Sequence, residues 1–458
     1  MCIVDFEVCF GMDGISEKPE KVTFRETFNL KDSSARARIF MLLSVSIQTA
    51  LVYVTTGIFF TGFLSENGID IYGNNILMFV PYVAGLFSLV APEILSRFKK
   101  RKLILAFCMF FYYALLLGGV NLIPLVIEDS VGKLWGMVVV SFVANLFYVI
   151  GTAVYNAWHV RFIPERIRSY YLSYSQISAA LIAGIFALVS GQISDYLASI
   201  EGGQLQFLIN LRYVSIGIGA IQCICLMIPK EVEYPVIRTP HISDVISIPV
   251  KNRKFMMTML IVFFWNFSAQ LSATSLAFYL LNTVGMSYTF YNIIIFLYSP
   301  IFFLSAPLWR RLIERTSWFK TFAWAVLLVG PAQIVYGFIQ PGNYIVISLV
   351  VRCIQHFAGA GHNVAFANFM YINMPITNRT CYTSFYNIVF QSGALTGLLC
   401  GMGFMALTEN VSFSLFGYTY QTGVPFLIML TGVFQILIAI YVLAFRKRLE
   451  PDPEIERA

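Results

Sequence analysis

Charge is scarce in this sequence. Asp, Glu, Lys and Arg make up 12% of its 458 residues, while 58% are hydrophobic; soluble domains carry roughly 25% charge. Mean hydropathy is +0.73. So few polar groups cannot clothe a chain of this size in water, which excludes a soluble nucleic-acid-binding domain and a disordered chain and points to an integral membrane protein. Paired cysteines are also missing. Of eight Cys, five (Cys108, Cys223, Cys225, Cys353 and Cys400) lie inside apolar runs, where they read as small buried hydrophobes, not bridges or metal ligands. There is no Gly-x-x-x-x-Gly-Lys-Ser/Thr phosphate loop, no His-Glu-x-x-His and no Cys-x-x-Cys, so neither an ATP-driven pump of that kind nor a metal site is expected. The spans lack an acid beside their histidines, which removes a Ser-His-Asp hydrolase. No enzyme activity and no cofactor are expected. An apolar leader segment is absent as well, the first 38 residues being polar and of mixed charge.

What is present is a series of long apolar runs. A membrane helix needs about 20 mostly apolar residues to cross about 30 Å. Runs of that length fall near 39–63, 72–96, 103–126, 134–158, 170–195 and 208–228, then 256–281, 288–309, 320–340, 343–371, 382–407 and 424–445. Barrel strands would be shorter and alternate apolar with polar residues; these runs are continuous. The expected fold is all-α and integral to the membrane, with twelve transmembrane helices.

The placement of basic residues sets the orientation. Of 31 Lys and Arg, all but Lys133, Arg212 and Arg352 lie in the N-terminal segment, the C-terminal tail or every second loop. That is the positive-inside bias, and it accounts for the excess of base over acid without an anionic partner. Alternate loops hold Glu66, Asp70, Glu128, Asp129, Glu201 and Glu409. With an even number of spans, both termini are expected in the cytoplasm of a multi-pass cell-membrane protein. The longest internal polar stretch, 229–255, divides the spans six and six. The expected organisation is a cytoplasmic segment 1–38, a bundle 39–228, a linker 229–255, a second bundle 256–445 and a tail 446–458. Residues Thr23 to Arg38 read either as an amphipathic helix on the inner surface or as a loose tail.

The two halves echo each other. Pro164-Glu165-Arg166-Ile167-Arg168-Ser169-Tyr170-Tyr171-Leu172-Ser173-Tyr174 follows the fourth span, and Pro375-Ile376-Thr377-Asn378-Arg379-Thr380-Cys381-Tyr382-Thr383-Ser384-Phe385 follows the tenth. Both read Pro, three residues, Arg, a hydroxyl residue, one residue, Tyr, one residue, Ser, an aromatic. Ala91-Pro92 and Ala306-Pro307 precede the basic loops after spans two and eight. Together they indicate a duplicated six-helix unit. Two six-helix halves, a polar middle linker and these basic loops resemble the major facilitator superfamily over essentially the whole chain. The family's loop between spans two and three reads Gly-x-x-x-Asp-Arg-x-Gly-Arg-Arg. Here Arg97, Lys100 and Arg101 match, but Ser96 replaces the acid and Lys99 the second glycine. In the family that acid helps latch the cytoplasmic side, so its loss leaves the latch in question; Glu93, one turn earlier, is either a substitute or a surface residue. The resemblance implies two pseudo-symmetric bundles, a monomeric working unit, and gating loops that here would carry Arg97, Lys100, Arg101, Arg168, Arg311, Arg315 and Arg379.

Ionisable groups inside a membrane are costly and are functional candidates by default. The middles of the spans contain no Asp or Glu. Asp195 and Arg212 fall near the outer ends of spans five and six, where they could pair with each other. Arg352 lies about 13 Å along a helix beginning near Asn343, close to mid-membrane. At 100° per residue, Ser348, Arg352, Gln355, His356, Gly359, His362 and Asn363 share one helix face. Span four carries a similar uncharged stripe of Ser141, Asn145, Tyr148, Thr152, Tyr155 and Asn156. Span seven adds Trp265, Asn266, Gln270 and Thr274, and span one Ser44, Gln48, Thr55 and Thr56. In the superfamily, spans one, four, seven and ten line the central cavity, so the resemblance makes these stripes cavity walls. A polar residue in a span can instead bond a neighbouring helix, and Asn145, Gln48 and Gln270 remain open between the two roles. His362 is open between a backbone-bonded structural histidine and a ligand contact.

The expected function is a secondary active or facilitative transporter of a small polar organic solute, working by alternating access. Amides, hydroxyls and aromatic faces suit a sugar-like molecule; Arg352 tilts toward a carboxylate or phosphate. A coupled proton would need His356 or His362, since no carboxylate lies at mid-depth; otherwise the protein is a uniporter or exchanger. The alternative is a non-transporting receptor or sensor on the same fold, for which the altered loop leaves room. Solute and lipid bilayer are the expected partners, with no nucleic acid.

Overall fold

In lipid a backbone must bond its own N–H and C=O groups, and a helix does so locally. The computed structural model describes residues 27–28, 31, 33–96, 98, 100–163, 165–231, 242–375, 378–408, 411–415, 417–420 and 422–450. Among these, eleven helical stretches are long and apolar enough to cross a membrane, and Ile71–Leu86 is a shorter apolar helix. The protein is an all-α, multi-pass membrane protein. Span one comprises α1 (Ser33–Thr55) and α2 (Ile58–Glu66); span two is α3 (Ile71–Leu86), a 3-10 turn and α4 (Ala91–Ser96); span three is α5 (Lys102–Tyr113), a π turn over Ala114–Gly119 and α6 (Val120–Val126). Spans four to six are α7 (Ser130–Phe162), α8 (Glu165–Leu197) and α9 (Gly203–Met227). After α10 (Ile242–Val250), span seven is α11 (Arg253–Leu271) with α12 (Ala273–Asn282), and span eight is α13 (Tyr288–Phe296) with α14 (Tyr298–Arg315). Spans nine to twelve are α15 (Trp318–Tyr336), α16 (Tyr344–Asn368), α17 (Arg379–Leu407) and α18 (Val424–Leu449).

The chain divides into two compact units, Met1–Thr239 and Pro240–Ala458, and the helices pack by one plan in both. In the first unit span one packs on spans five and six, span four on two and three, and span three on six; in the second, span seven packs on eleven and twelve, span ten on eight and nine, and span nine on twelve. The breaks match too. Spans one and seven are interrupted at Thr56–Gly57 and Ser272, and spans two and eight at Phe87–Val90 and Leu297. Span two therefore differs from the continuous 72–96 helix expected. Its second piece restarts with Pro92 in the first turn, as α14 does with Pro300, where a missing N–H costs nothing.

Other departures have local causes. The linker is not wholly irregular: α10 lies within it, and α11 begins three residues earlier than expected because the Asn252 side chain accepts from Phe255 N at 3.1 Å, a helix cap. A two-stranded hairpin pairing Phe413–Leu415 with Tyr418–Tyr420 joins spans eleven and twelve, and the Phe413 ring packs 4.3 Å from that of Phe426. Residues 1–26 and 451–458 lie outside the described residues, as do 232–241 of the linker. Of the segment Thr23 to Arg38, residues from Ser33 onward already belong to span one. Thr27 and Phe28 are buried: Arg38 Nε donates to Thr27 O at 3.0 Å, and Phe28 packs with Ile163, Ile167 and Tyr171.

Arg212 corrects an expectation. It is 1% exposed and does not pair with Asp195. Its Nε donates to Asn121 Oδ1 at 2.7 Å, Nη1 to Val54 O at 2.9 Å and Nη2 to Leu116 O. Phe60 and Phe63 lie 5.0 and 4.6 Å from its guanidinium carbon. Both carbonyls belong to interrupted helix. Where span one breaks, Thr56 N and Gly57 N converge on Val52 O, each at 2.9 Å, and a side chain on Gly57 would meet the Tyr53 backbone 2.7 Å away. Val54 O, left at the helix end, is answered by Arg212 from span six. In the second unit a stripe of Gly393, Gly397 and Gly401 lets α17 lie directly against the Phe263, Phe267 and Leu271 carbonyls of α11, a small-residue contact typical of membrane helices.

Two substitutions check these contacts by thermal unfolding of the purified protein. Arg212→Leu strands two buried carbonyls and an amide and should cost about 3 kcal/mol or more, at roughly 1–3 kcal/mol per orphaned group. Gly397→Ala forces α17 off α11 and should cost about 1–3 kcal/mol. A melt unchanged by either would remove that contact from the account of the fold.

Candidate functional site

The polar stripe expected on span ten lies along one helix, and its residues reach three neighbouring spans of the same unit. Arg352 lies eight residues into α16, about 12 Å from its start at ~1.5 Å per residue. Its Nη1 donates to Gln355 Oε1 at 3.0 Å, and Gln355 Nε2 donates to Gln333 Oε1 of α15 at 2.6 Å. The guanidinium carbon stands 4.6 Å over the Tyr336 ring, a cation–π contact. Gln333 and Tyr336 are 8% and 1% exposed, so the tether is fixed, while Arg352 keeps part of its surface open. Among the described residues no carboxylate pairs with it.

His356, one turn on, bonds Ile294 O at 2.9 Å through Nε2. A carbonyl only accepts, so Nε2 carries the hydrogen. The Tyr298 ring meets this imidazole edge-on at 5.4 Å, and Asn363 Nδ2 donates to Tyr298 Oη at 3.2 Å. Gly359 lies between: an added Cβ would sit 3.6 Å from Tyr298, 3.9 Å from Asn363 and 3.9 Å from His362. The His362 ring lies 4.8 Å from that of Trp265 of span seven, inclined to it by 58°, and its Nδ1 is buried without a partner, so no backbone carbonyl holds that nitrogen. Trp265 in turn meets Phe322 at 5.3 Å. Arg352 with Gln355, His356 with Tyr298, and His362 with Trp265 thus form three neighbouring groups along one helix face.

The remaining candidates divide. Gln48 of span one and Tyr148 of span four are brought together, with Nε2 donating to the phenol oxygen at 3.1 Å and Tyr148 stacked 4.6 Å from Tyr112. Asn145, Thr152 and Asn266 turn back on their own helices, bonding Ser141 O at 2.8 Å, Tyr148 O at 2.9 Å and Val262 O at 2.8 Å. Gln270 is half-buried. Of the loop residues, Arg97 lies outside the described residues, as do the side chains of Arg168 and Arg379. Arg311 and Arg315 are exposed at the end of α14, beside an Arg310–Glu314 pair at 2.9 Å. Lys100 and Arg101 precede α5, and the acid that meets the start of this helix is Glu231, which accepts from Arg101 N at 2.5 Å and Lys102 N at 2.9 Å. Sequence reasoning missed Gln333, Tyr336, Tyr298 and Glu231. The first three carry no spacing signal on their own helices, and Glu231 is separated from its partner by 130 residues.

The family model of the Major Facilitator Superfamily matches residues 39–398. The chain belongs to that superfamily. It is a membrane transporter by family, not an enzyme. Among curated proteins, none matches the sequence. Solved structures similar to it include a mutant of the nucleoside transporter NupG, at TM-score 0.64 and 11% identity over 90% of this chain and 99% of that one. A bacterial homologue of the iron transporter ferroportin aligns at 0.64 and 12%, over 91% and 99%. A bacterial homologue of the human lysosomal transporter Spinster aligns at 0.63 and 15%, over 91% and 99%. At these identities the likeness is one of fold.

Glu231 accepts two N–H groups at the positive end of α5. Glu231→Gln should destabilise the protein by about 1 kcal/mol and speed proteolysis at the loop before α5; unaltered proteolysis and melting would show the contact to be incidental.

Proposed function

We propose that this superfamily member is a secondary active or facilitative transporter that moves a small polar organic solute, sugar-like or anionic, by alternating access, with both termini in the cytoplasm. The observation that carries the reading is the span-ten face: a guanidinium at depth, tethered by amides and a tyrosine ring, with no carboxylate among the described residues to neutralise it. Such a charge is tolerable where water or a solute can reach it. Alternating access requires solute binding to favour the switching states, and the amide, phenol and imidazole groups along the span-ten face supply directional contacts for that. Proton coupling, where it operates, runs through His356.

Counterflow in proteoliposomes tests this. Exchange of a labelled sugar, sugar acid or organic acid against its unlabelled form is the expected result; binding without exchange of any of them favours the receptor alternative. In a His356→Gln variant, uptake should lose its dependence on pH; an unchanged profile removes His356 from coupling.

A further inference from the structure

The next step rests on the transporter reading and names its solute class. We propose that Arg352, His356 and Tyr298 form a site for a hydroxylated organic carboxylate, of the sugar-acid type, in preference to a neutral sugar or a plain fatty acid.

Arg212 and Arg352 make the contrast. Arg212 donates from Nε, Nη1 and Nη2 to Asn121, Val54 O and Leu116 O, and its exposure is 1%; all three of its nitrogens are engaged in holding helices. Arg352 donates one of a guanidinium's five N–H groups, to Gln355, and among the described residues the rest have no hydrogen-bond partner. Nor is it loose. Gln333 holds Gln355, Gln355 turns its carbonyl oxygen toward the guanidinium, and Tyr336 supports one face. What remains is a planar fork of donors held in one orientation, the shape that takes both oxygens of a carboxylate. A lipid headgroup is the wrong source for that oxyanion, because Arg352 lies about 12 Å inside a span and headgroups sit at its ends.

The hydroxyls follow from the neighbours. His356 spends Nε2–H on Ile294 O, which leaves Nδ1 of the neutral ring as an acceptor. It stands one turn from Arg352 on the same face, about 5–6 Å away between Cβ atoms. The Tyr298 hydroxyl accepts from Asn363, so its own hydrogen points elsewhere. An acceptor and a donor beside an anion fork match a molecule with a carboxylate at one end and hydroxyls along its chain. A neutral sugar leaves the guanidinium unanswered, and a fatty acid leaves the imidazole and phenol so; each unanswered polar group lowers affinity.

Titration of the purified full chain in non-ionic detergent with D-gluconate, D-glucose and hexanoate tests this. Gluconate should bind at least about tenfold more tightly than either of the others. Arg352→Gln should remove its advantage over glucose, and His356→Leu should reduce its advantage over hexanoate. Equal binding of gluconate and glucose, no gluconate binding, or an Arg352→Gln protein with wild-type preference would overturn the assignment; so would loss of gluconate binding on adding phosphatidylglycerol, which would give the fork to a lipid headgroup. Should Arg352→Gln fail to fold, the order of the three probes on the unmodified protein still decides. Counterflow separates the two readings: gluconate bound without exchange keeps the solute class and retires transport, whereas exchange of glucose with no gluconate binding does the reverse.

Discussion

A carbonyl released from a helix inside lipid has no water to turn to, and the first unit depends on how that demand is met. Span one breaks at Thr56–Gly57 and span three loosens into a π turn. The guanidinium of Arg212 joins the carbonyls these irregularities present and anchors them through span six. Spans one, three and six are thereby bound at one buried point by charge-assisted bonds, stronger than neutral ones. The cost of burying a charge is offset because each of its three nitrogens is bonded and two phenylalanine rings flank it.

The second unit meets the same demand with smaller groups. Its equivalent break, at Ser272, is tied to span twelve by a 3.0 Å bond between the hydroxyls of Ser272 and Thr431. Close packing of α17 on α11 is achieved by removing side chains, through Gly393, Gly397 and Gly401, and Gly330 and Gly432 do likewise between α15 and α18. No arginine is needed for scaffolding there, and the arginine this unit does hold in mid-span is left with open donors. The two units share a packing plan and differ in how they use charge. That difference is the physical basis for proposing solute recognition at Arg352 while Arg212 holds helices together.

The altered loop before span three follows the same logic. The missing motif acid at Ser96 does not leave the start of α5 without a carboxylate; Glu231, just past span six, reaches two backbone N–H groups there. A helix N-terminus favours an anion whatever its origin, and here Glu231 supplies it.

Hydropathy alone determined that this chain crosses the membrane in about twelve helices, because apolar length has no other stable use in such quantity. The halves' echo at Pro164 and Pro375 foretold a duplicated plan, and the polar face of span ten was readable because helix geometry puts residues 352, 355, 356, 359, 362 and 363 together. Only tertiary structure decided what those residues touch. Asn145 and Asn266 look like Gln48 in sequence, yet two turn back to their own backbones and the third reaches Tyr148. Arg212 and Arg352 are both lone cations in apolar runs, and which one is bonded through all three nitrogens depends on carbonyls and amides supplied by other helices. Periodicity reports the face a side chain occupies; the partner it finds depends on packing between segments far apart in the chain.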